Sequence, residues 1–384
     1  MNIKASERMK DFKPGIFNRV KQAAEKKKLT DQSFVDLSLG TPDIPPIEQV
    51  REKLSEESLK KTSYGYTLGG LARFNKAVSH YYERVNKIQL NPESEVLQTM
   101  GSQEGLVHLP LAFCNPGDIV ITTNPAYLAY DAGIKLAGAK SYNVPLLKEN
   151  NYLPQIKDIP EEIAKQAKLM ILNFPGNPVP ATATEAFLKE VVAFAKKYDI
   201  LILQDAAYSE FYYDEPLVHL LAIPGAKEVS LETNSLSKSF SLAGARIAYF
   251  VGNPDAIRIL KELKSNLDYG VFSPIQEAAI VALDNAEAIT EKVREVFSVR
   301  YKVMSEGLKE LGWNVAPSVS GMFLWAQYPG ELDDETFVFN LIEEKGIAMV
   351  PGSAFGSEGV GYVRIALVQD KEILEQALSK LAKK

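Results

Sequence analysis

Apolar runs alternate with amphipathic segments along the first three quarters of the chain. Runs such as Leu169–Leu172 (LMIL) and Ile200–Leu203 (ILIL) contain no polar position, which is typical of strands covered on both faces. The pattern predicts strands at Glu95–Thr99, Asp118–Thr123, Lys140–Val144, Leu169–Asn173, Ile200–Gln204, Glu228–Leu231 and Ala248–Val251. It predicts intervening helices at Gln103–Cys114, Leu128–Ala137, Ala183–Tyr198 and from Leu242–Ala245 onward. We therefore expect an α/β fold with a mostly parallel central sheet and helices on both faces.

The pattern changes after about residue 285. A long charged helix over Ala286–Leu311 precedes short strands and a last helix from Lys371. Those strands are predicted near Trp313–Val315, Met322–Ala326, Ala348–Val350 and Tyr362–Ala366. We expect an N-terminal arm (1–45), a large α/β domain (46–285) and a smaller α+β C-terminal domain (286–384).

Composition narrows the class of protein. The 384 residues are 46 % hydrophobic and 24 % charged, with a formal net charge of −6. This composition is that of an ordinary globular protein, and the acidic balance argues against nucleic acid as a partner. The sequence has no apolar segment of membrane-spanning or signal-peptide length, and its single cysteine, Cys114, excludes an intrachain disulfide. We therefore predict a cytoplasmic protein. We also predict that it has no metal site, because the three histidines show no ligand spacing.

Four polar segments follow predicted strands, where the loops of an open α/β sheet bind ligands. They are Met100–Gly105, Asn173–Pro178, Gln204–Tyr208 and Ser235–Ser239, the last followed by Arg246. Each has an ordinary structural interpretation when it is considered alone. The first and third are compatible with helix caps, the second with a plain turn, and the fourth with a surface loop.

The combination of the four segments is more specific than any one of them. A glycine turn at a helix start suits a phosphate, and Arg246 adds a positive charge. Asp205, at the end of an apolar run, requires a positive partner, while a partly buried Lys238 would be a usable Schiff-base former. An amine, a buried carboxylate and a phosphate site are what pyridoxal 5'-phosphate requires of its protein.

At these motifs the chain resembles the class I and II, aspartate aminotransferase-like enzymes of pyridoxal phosphate fold type I. The likeness extends over about residues 30–380. It is carried by GSQEG (101–105), TNPAY (123–127), NFPGNP (173–178), QDAAYSE (204–210), SLSKSFSLAGARIAYF (235–250) and YVRIAL (362–367). Several stretches are most similar to the branch related to the LL-diaminopimelate aminotransferases. The chain departs from the family pattern at NPVP (177–180) and at Ala245.

The resemblance implies roles for individual residues. Lys238 forms the Schiff base and carries the proton, Asp205 pairs with the pyridinium nitrogen, and Tyr208 binds the phenolic oxygen of the cofactor. Asn177 also binds the phenolic oxygen, Tyr127 stacks on the cofactor ring, Arg364 binds the substrate carboxylate, and Gly40 lies in the arm that covers the substrate. The cofactor phosphate is bound by Ser102, Gln103, Ser235, Ser237 and Arg246. Tyr66 reaches the phosphate of a neighbouring subunit, with Tyr64 as the competing candidate.

The implied activity is transfer of an amino group between an L-amino acid and a 2-oxo acid by a ping-pong mechanism, in a homodimer with shared active sites. The alternatives are LL-diaminopimelate aminotransferase specifically, or a C–S β-lyase on the same scaffold. Residues 267–272 contain no arginine, which argues against a dedicated aspartate enzyme. Tyr66, Tyr269, Phe272 and Phe323 either line an apolar substrate pocket or belong to the core.

Overall fold

The protein is described by a computed structural model that covers residues 1, 3–12 and 15–383. Its strands are β1 (Val35–Asp36), β2 (Val96–Thr99), β3 (Ile119–Asn124), β4 (Lys140–Pro145), β5 (Ala167–Asn173), β6 (Leu201–Asp205), β7 (Ser230–Ser235), β8 (Ala248–Gly252), β9 (Asn314–Val315), β10 (Phe323–Gln327), β11 (Ile347–Ala348), β12 (Val350–Pro351) and β13 (Tyr362–Ala366). Its α-helices are α1 (Ile16–Lys28), α2 (Glu48–Ser58), α3 (Ala72–Tyr81), α4 (Ser102–Phe113), α5 (Leu128–Leu136), α6 (Glu161–Gln166), α7 (Glu185–Tyr198), α8 (Pro254–Ser265), α9 (Ser273–Asp284), α10 (Ala286–Glu310), α11 (Asp334–Asn340) and α12 (Lys371–Ala382).

The central sheet has seven strands in the order β2-β8-β7-β6-β5-β3-β4. Only β8 runs against its neighbours, so the predicted mostly parallel α/β sheet is confirmed. The apolar runs lie in β5 and β6, at the middle of the sheet, where helices cover both faces. Because the strands other than β8 point the same way, the loops after β2, β3, β5, β6 and β7 meet at one edge.

Three sequence predictions were wrong in detail. The helix predicted from Leu242 onward is a single 3-10 turn, Ala243–Ala245, after which Arg246 turns the chain with φ 55° into β8. The predicted strand Ala348–Val350 is divided, because β11 pairs with β1 whereas β12 pairs with β13. The strand predicted to begin at Glu228 begins at Ser230, after a 3-10 turn, and continues through Ser235.

A second sheet, in the order β12-β13-β10-β9, is antiparallel. Helices α10 and α12 pack on it, and so does the N-terminal segment, since Val20, Ala24 and Val35 share its apolar cluster. The strand β1 pairs with β11, which joins the start of the chain to its last quarter. The division at residues 45 and 285 stays a prediction. In the part of the chain that the structure describes, no helix is both long and apolar enough to cross a membrane.

Candidate active site

A cavity of about 540 Å³ lies at the carboxyl edge of the central sheet. All the predicted site residues except Tyr66 line it: Gly40, Ser102, Gln103, Tyr127, Asn177, Asp205, Tyr208, Ser235, Ser237, Lys238, Arg246 and Arg364. Tyr66 is 84 % exposed and lies outside this cavity. The sheet edge therefore brings together residues that are up to 324 positions apart, from Gly40 to Arg364.

Asp205 ends β6 and is buried. The hydroxyl of Tyr130 donates to its Oδ2 at 2.8 Å, and the N–H of Ala207 donates to its Oδ1 at 3.2 Å. Burial raises the pKa of the Asp205 carboxyl to about 6, although these hydrogen bonds act to lower it. Because the groups that touch the carboxylate are neutral, its charge suits a cationic ring nitrogen.

Lys238 follows β7 and points its Nζ at the carbonyl oxygen of Gly40, to which it donates. Burial, followed by the positive charges of Arg364 and Arg246, lowers the pKa of the Lys238 amine to about 8. A sizeable neutral fraction therefore exists near pH 7 to 8, which a nucleophilic or proton-carrying amine requires.

The turn before α4 and Arg246 together have the geometry of an anion site. Gly101 adopts φ 76°, and a Cβ built there would lie 2.3 Å from Nη2 of Arg246, so the guanidinium rests directly against this backbone. Ser102 and Gln103 begin α4, where backbone N–H groups have no helical acceptor. From β7, Ser235 completes the cradle, and its Oγ accepts from the N–H of Ser237 at 3.1 Å.

Arg364 lies on β13, lines the cavity and is 3 % exposed. Its Nη1 donates to Oδ1 of Asn177 at 2.9 Å and its Nη2 to the carbonyl of Ser38 at 2.6 Å. Its Cζ lies 4.3 Å from the ring centroid of Phe323. Burial lowers the pKa of the guanidinium to about 10, which keeps it charged at neutral pH.

Two side chains that the sequence did not single out hold the predicted ones. Asn173 donates to the carbonyl of Asp205 at 2.8 Å and accepts from the N–H of Asn177 at 2.7 Å. Tyr130 holds the carboxylate of Asp205, as described above, and stands three residues after Tyr127 on α5. Because Tyr127 is the N-cap residue of α5 with an extended backbone, helical spacing gave no signal for Tyr130 in the sequence.

The donor set fits pyridoxal 5'-phosphate. Among the described residues Asp205 is a buried carboxylate without a cationic contact, Gly101 leaves the space in which Arg246 lies against the turn before α4, and the Lys238 amine lines the same cavity. Arg364 adds a further buried cation to the lining. Within the described residues, Nε of Arg364 has no hydrogen-bond partner, which suits a further carboxylate.

The aromatic residues expected in a pocket or in the core are divided. Phe323 lines the cavity beneath Arg364. Tyr66, Tyr269 and Phe272 are 84 %, 58 % and 40 % exposed, so they lie neither in the cavity nor in the core of this chain. Together with Tyr64 they form an exposed group that we call the aromatic patch, in which Tyr66 packs on Tyr269 and Tyr64 on Phe272.

Comparison with known proteins agrees with this geometry. Residues 32–381 match the family model described as aminotransferase class I and II. The LL-diaminopimelate aminotransferase of Aquifex aeolicus is 40 % identical over 382 residues, 98 % of each chain. The enzyme of the same name from Halothermothrix orenii is 38 % identical, over 98 % of this chain and 97 % of its own.

Solved structures show the same fold. Substrate-bound BacF from Bacillus subtilis superposes with a TM-score of 0.94 at 34 % identity, covering 99 % of this chain and 97 % of its own. Motifs, cavity and relatives therefore agree on one conclusion. The chain belongs to the class I and II aminotransferases, enzymes that use pyridoxal phosphate to move an amino group between an amino acid and a 2-oxo acid.

Proposed function

We propose that Lys238 carries the proton between the substrate and the cofactor and that Asp205 and Arg364 hold the two in register. The observation that carries this assignment is the arrangement of these three side chains around one cavity. Bound pyridoxal phosphate supplies the electron-withdrawing ring that makes the Cα–H bond of an amino acid acidic. The residues of the chain then bind, orient and move the proton.

Arg364 is the carboxylate clamp in this proposal. Its guanidinium is held at Nη1 by Asn177, at Nη2 by Ser38 and at Cζ by the ring of Phe323, and each terminal nitrogen keeps a second N–H. A substrate carboxylate held there bidentately fixes one substituent of Cα, and the amino nitrogen, held at the cofactor, would fix a second. The third, the hydrogen, is then directed to the Nζ of Lys238.

Asp205 supplies the electrostatic part. Its carboxylate, kept ionised by a protonated ring nitrogen, stabilises positive charge at that atom and so favours withdrawal of electrons from the substrate. Tyr208 and Asn177 are assigned to the phenolic oxygen. Burial and the charge of Asp205 raise the pKa of the Tyr208 hydroxyl, so this group remains a hydrogen-bond donor at neutral pH.

Replacement of the lysine tests the proposal. Lys238→Ala should abolish the absorbance band of the lysine-bound cofactor between about 320 and 450 nm and lower the rate of amino transfer by at least ~10³-fold. Lys302→Ala, a lysine exposed on α10, should leave both unchanged. A wild-type chain that shows no band after addition of pyridoxal phosphate would contradict the assignment.

We propose LL-diaminopimelate as the amino donor. The names of the two curated relatives support it, both at full length. The test is the rate at which the cofactor band changes with LL-diaminopimelate, aspartate, glutamate, alanine, methionine and phenylalanine. LL-diaminopimelate should react fastest, and a faster aromatic donor would contradict the proposal. Formation of pyruvate from cysteine conjugates without an added oxo acid would favour the C–S β-lyase alternative.

We also propose a homodimer in the cytoplasm, with the aromatic patch at the interface and Tyr66 directed to the phosphate of the partner. Exposed aromatic side chains grouped in one place are typical of an interaction site. The patch is held rigid because the N–H of Thr67 donates to the carbonyl of Tyr269 at 3.1 Å, and its Oγ1 donates to the carbonyl of Val271 at 2.7 Å.

Sedimentation of the purified chain tests the dimer. Tyr269→Asp should shift the sedimentation coefficient from dimer to monomer, because a charge at the interface lacks a partner. Val360→Asp, at an exposed site on the second-sheet side, should not. A wild-type monomer at micromolar concentration would contradict the proposal, and cell fractionation checks the compartment.

A further inference from the structure

A buried ion cluster lies behind the turn before α4 that carries Gly101, which we call the phosphate turn. Lys264, near the end of α8, has a side chain only 4 % exposed. Its Nζ is 3.1 Å from both carboxylate oxygens of Glu104 and 2.7 and 2.8 Å from the two oxygens of Asp268. A buried ammonium is costly unless it is paired, and here it has two carboxylates.

Glu104 stands in the first turn of α4, two residues after Ser102. Its Oε2 accepts the N–H of Met100 at 2.5 Å, which closes the turn that carries Gly101. His108, one helical turn later, places Nδ1 3.4 Å from the Oε1 of Glu104. Thus Glu104 fixes the shape of the phosphate turn from behind.

The position of Glu104 has an electrostatic drawback. A carboxylate in the first turn of a helix is favourable by itself, but it repels a phosphate dianion bound at the same N-terminus. The repulsion is strong where water is excluded. The geometry of the turn therefore needs Glu104, while the binding of an anion needs its charge to be neutralised.

We propose that Lys264 is a positioning residue for the phosphate of the cofactor, acting through Glu104. It offsets the charge of the carboxylate that closes the turn. Because Asp268 shares the same ammonium, the repulsion between Glu104 and the phosphate is reduced rather than removed. The inference rests on the proposed function, because it assumes that the turn binds that phosphate. Asp268, whose Oδ1 accepts the N–H of Gly270 at 2.7 Å, fixes Lys264 from the other side.

Binding of two cofactor forms separates an electrostatic role from a merely structural one. The dissociation constants of pyridoxal phosphate and of pyridoxal, which lacks the phosphate, are measured by absorbance for apo wild type, K264M, E104Q and the double variant. Arg258→Met, at an exposed arginine of the same helix, is the matched control and should behave as wild type.

K264M should weaken binding of pyridoxal phosphate at least ~10-fold and that of pyridoxal less than ~2-fold, because only the former carries the repelled charge. E104Q keeps an oxygen to accept from Met100 but removes the charge, so it should tighten pyridoxal phosphate ~2- to 3-fold. The double variant should return to within ~3-fold of wild type.

Equal weakening of both ligands in K264M, or no recovery in the double variant, would overturn the role of Lys264. If K264M does not fold, E104Q decides alone, and weaker or unchanged binding of pyridoxal phosphate overturns the inference. If the wild-type chain binds pyridoxal phosphate while the variants give one of these contrary results, the inference about Lys264 fails but the proposed function stands. A wild-type chain that binds neither ligand would overturn both.

Discussion

The carboxylate of Asp205 owes its behaviour to the identity of its two contacts. Both Tyr130 and Ala207 donate hydrogen bonds without bringing positive charge, and burial still leaves the pKa near 6. The protein therefore supplies an ionised carboxylate at neutral pH that is poorly compensated until a cation arrives. Of the two donors only Tyr130 can be removed by substitution, since the second donor is a backbone N–H.

Tyr130→Phe should move the pH dependence of cofactor binding. Removing a donor to the ionised form raises the pKa of Asp205 further, so the acidic limb of pyridoxal phosphate affinity between pH 5 and 9 should shift upward by about one unit. The control is Tyr142→Phe, in a different apolar cluster. An unchanged limb in Tyr130→Phe would show that this hydrogen bond does not set the pKa.

Arg364→Lys tests the carboxylate clamp. Lysine keeps the charge but loses the planar fork that Asn177 and Ser38 fix, so KM for the amino acid should rise at least ~10-fold with a smaller change in kcat. Steady-state kinetics with a saturating oxo acid would measure it. A fall in kcat at constant KM would assign Arg364 a role other than substrate binding.

The sequence allowed prediction of the residues that carry charge but not all of those that hold them. Asp205 is conspicuous as a carboxylate at the end of an apolar run, and Lys238 as a lysine among small polar residues between two predicted strands. The role of Arg364 was predicted only from the resemblance of YVRIAL to the family motif. Asn173 and Tyr130 are ordinary in their segments, and their roles come from a neighbouring strand or helix. The hydrogen bonds from Asn173 and Tyr130 to Asp205 span 32 and 75 positions, so neither has a short-range signal.

Among the elements, the turn between β2 and α4 is constrained in two ways at one glycine. Gly101 combines φ 76° with the close approach of Arg246, and both requirements exclude a side chain. The strand before it and the helix after it follow from the hydrophobic pattern. The contact with Arg246, 145 positions later, does not.

Gly101→Ala should displace the Arg246 guanidinium and weaken pyridoxal phosphate binding at least ~10-fold, with a cost of about 1 kcal/mol or more in stability. Gly117→Ala is the matched control, because Gly117 has φ 93° but nothing within 4 Å of a new Cβ. Binding titration and chemical unfolding of both variants separate strain from contact. Equal effects on binding would contradict the role of the close approach.

The elements that were predicted poorly have more than one physical cause. The segment Leu242–Ala245 has the composition of a helix, but Arg246 adopts a left-handed conformation that ends it after one turn. Helices α1, α2, α3, α6, α8, α9 and α11 were not predicted. In α2 only Val50 and Glu57 are buried, so its buried face is narrow, whereas β5 and β6 were predicted well because both their faces are covered.

At the scale of the molecule, the shifted pKa values of Asp205 and Lys238 lower the free energy of unfolding near neutral pH. The pKa of Asp205 is raised in the folded state, so the unfolded state binds fewer protons between about pH 4 and 6 and the free energy of unfolding falls as pH rises through that window. The pKa of Lys238 is lowered, so that free energy rises again between about pH 8 and 10.5. The apo chain should be least stable between these windows.

Asp205→Asn should remove most of the acidic part of this dependence. A shift from 3.8 to about 6 corresponds to about 3 kcal/mol, the upper bound of the gain for the apo variant at pH 7. Thermal unfolding of apo wild type and variant from pH 4 to 9 measures it. A variant less stable than wild type at pH 7 would show that the carboxylate is better compensated than its contacts indicate.

The charges that line the cavity have a practical consequence for anyone who prepares this enzyme. The lining contains three cationic side chains, Lys238, Arg246 and Arg364, against the single carboxylate of Asp205, in a chain whose net charge is −6. Before the cofactor binds, this cavity therefore attracts anions although the protein as a whole is acidic. Inorganic phosphate or sulfate in a buffer competes for the same donors as the cofactor, so reconstitution should be fastest in buffers of monovalent, weakly coordinating anions.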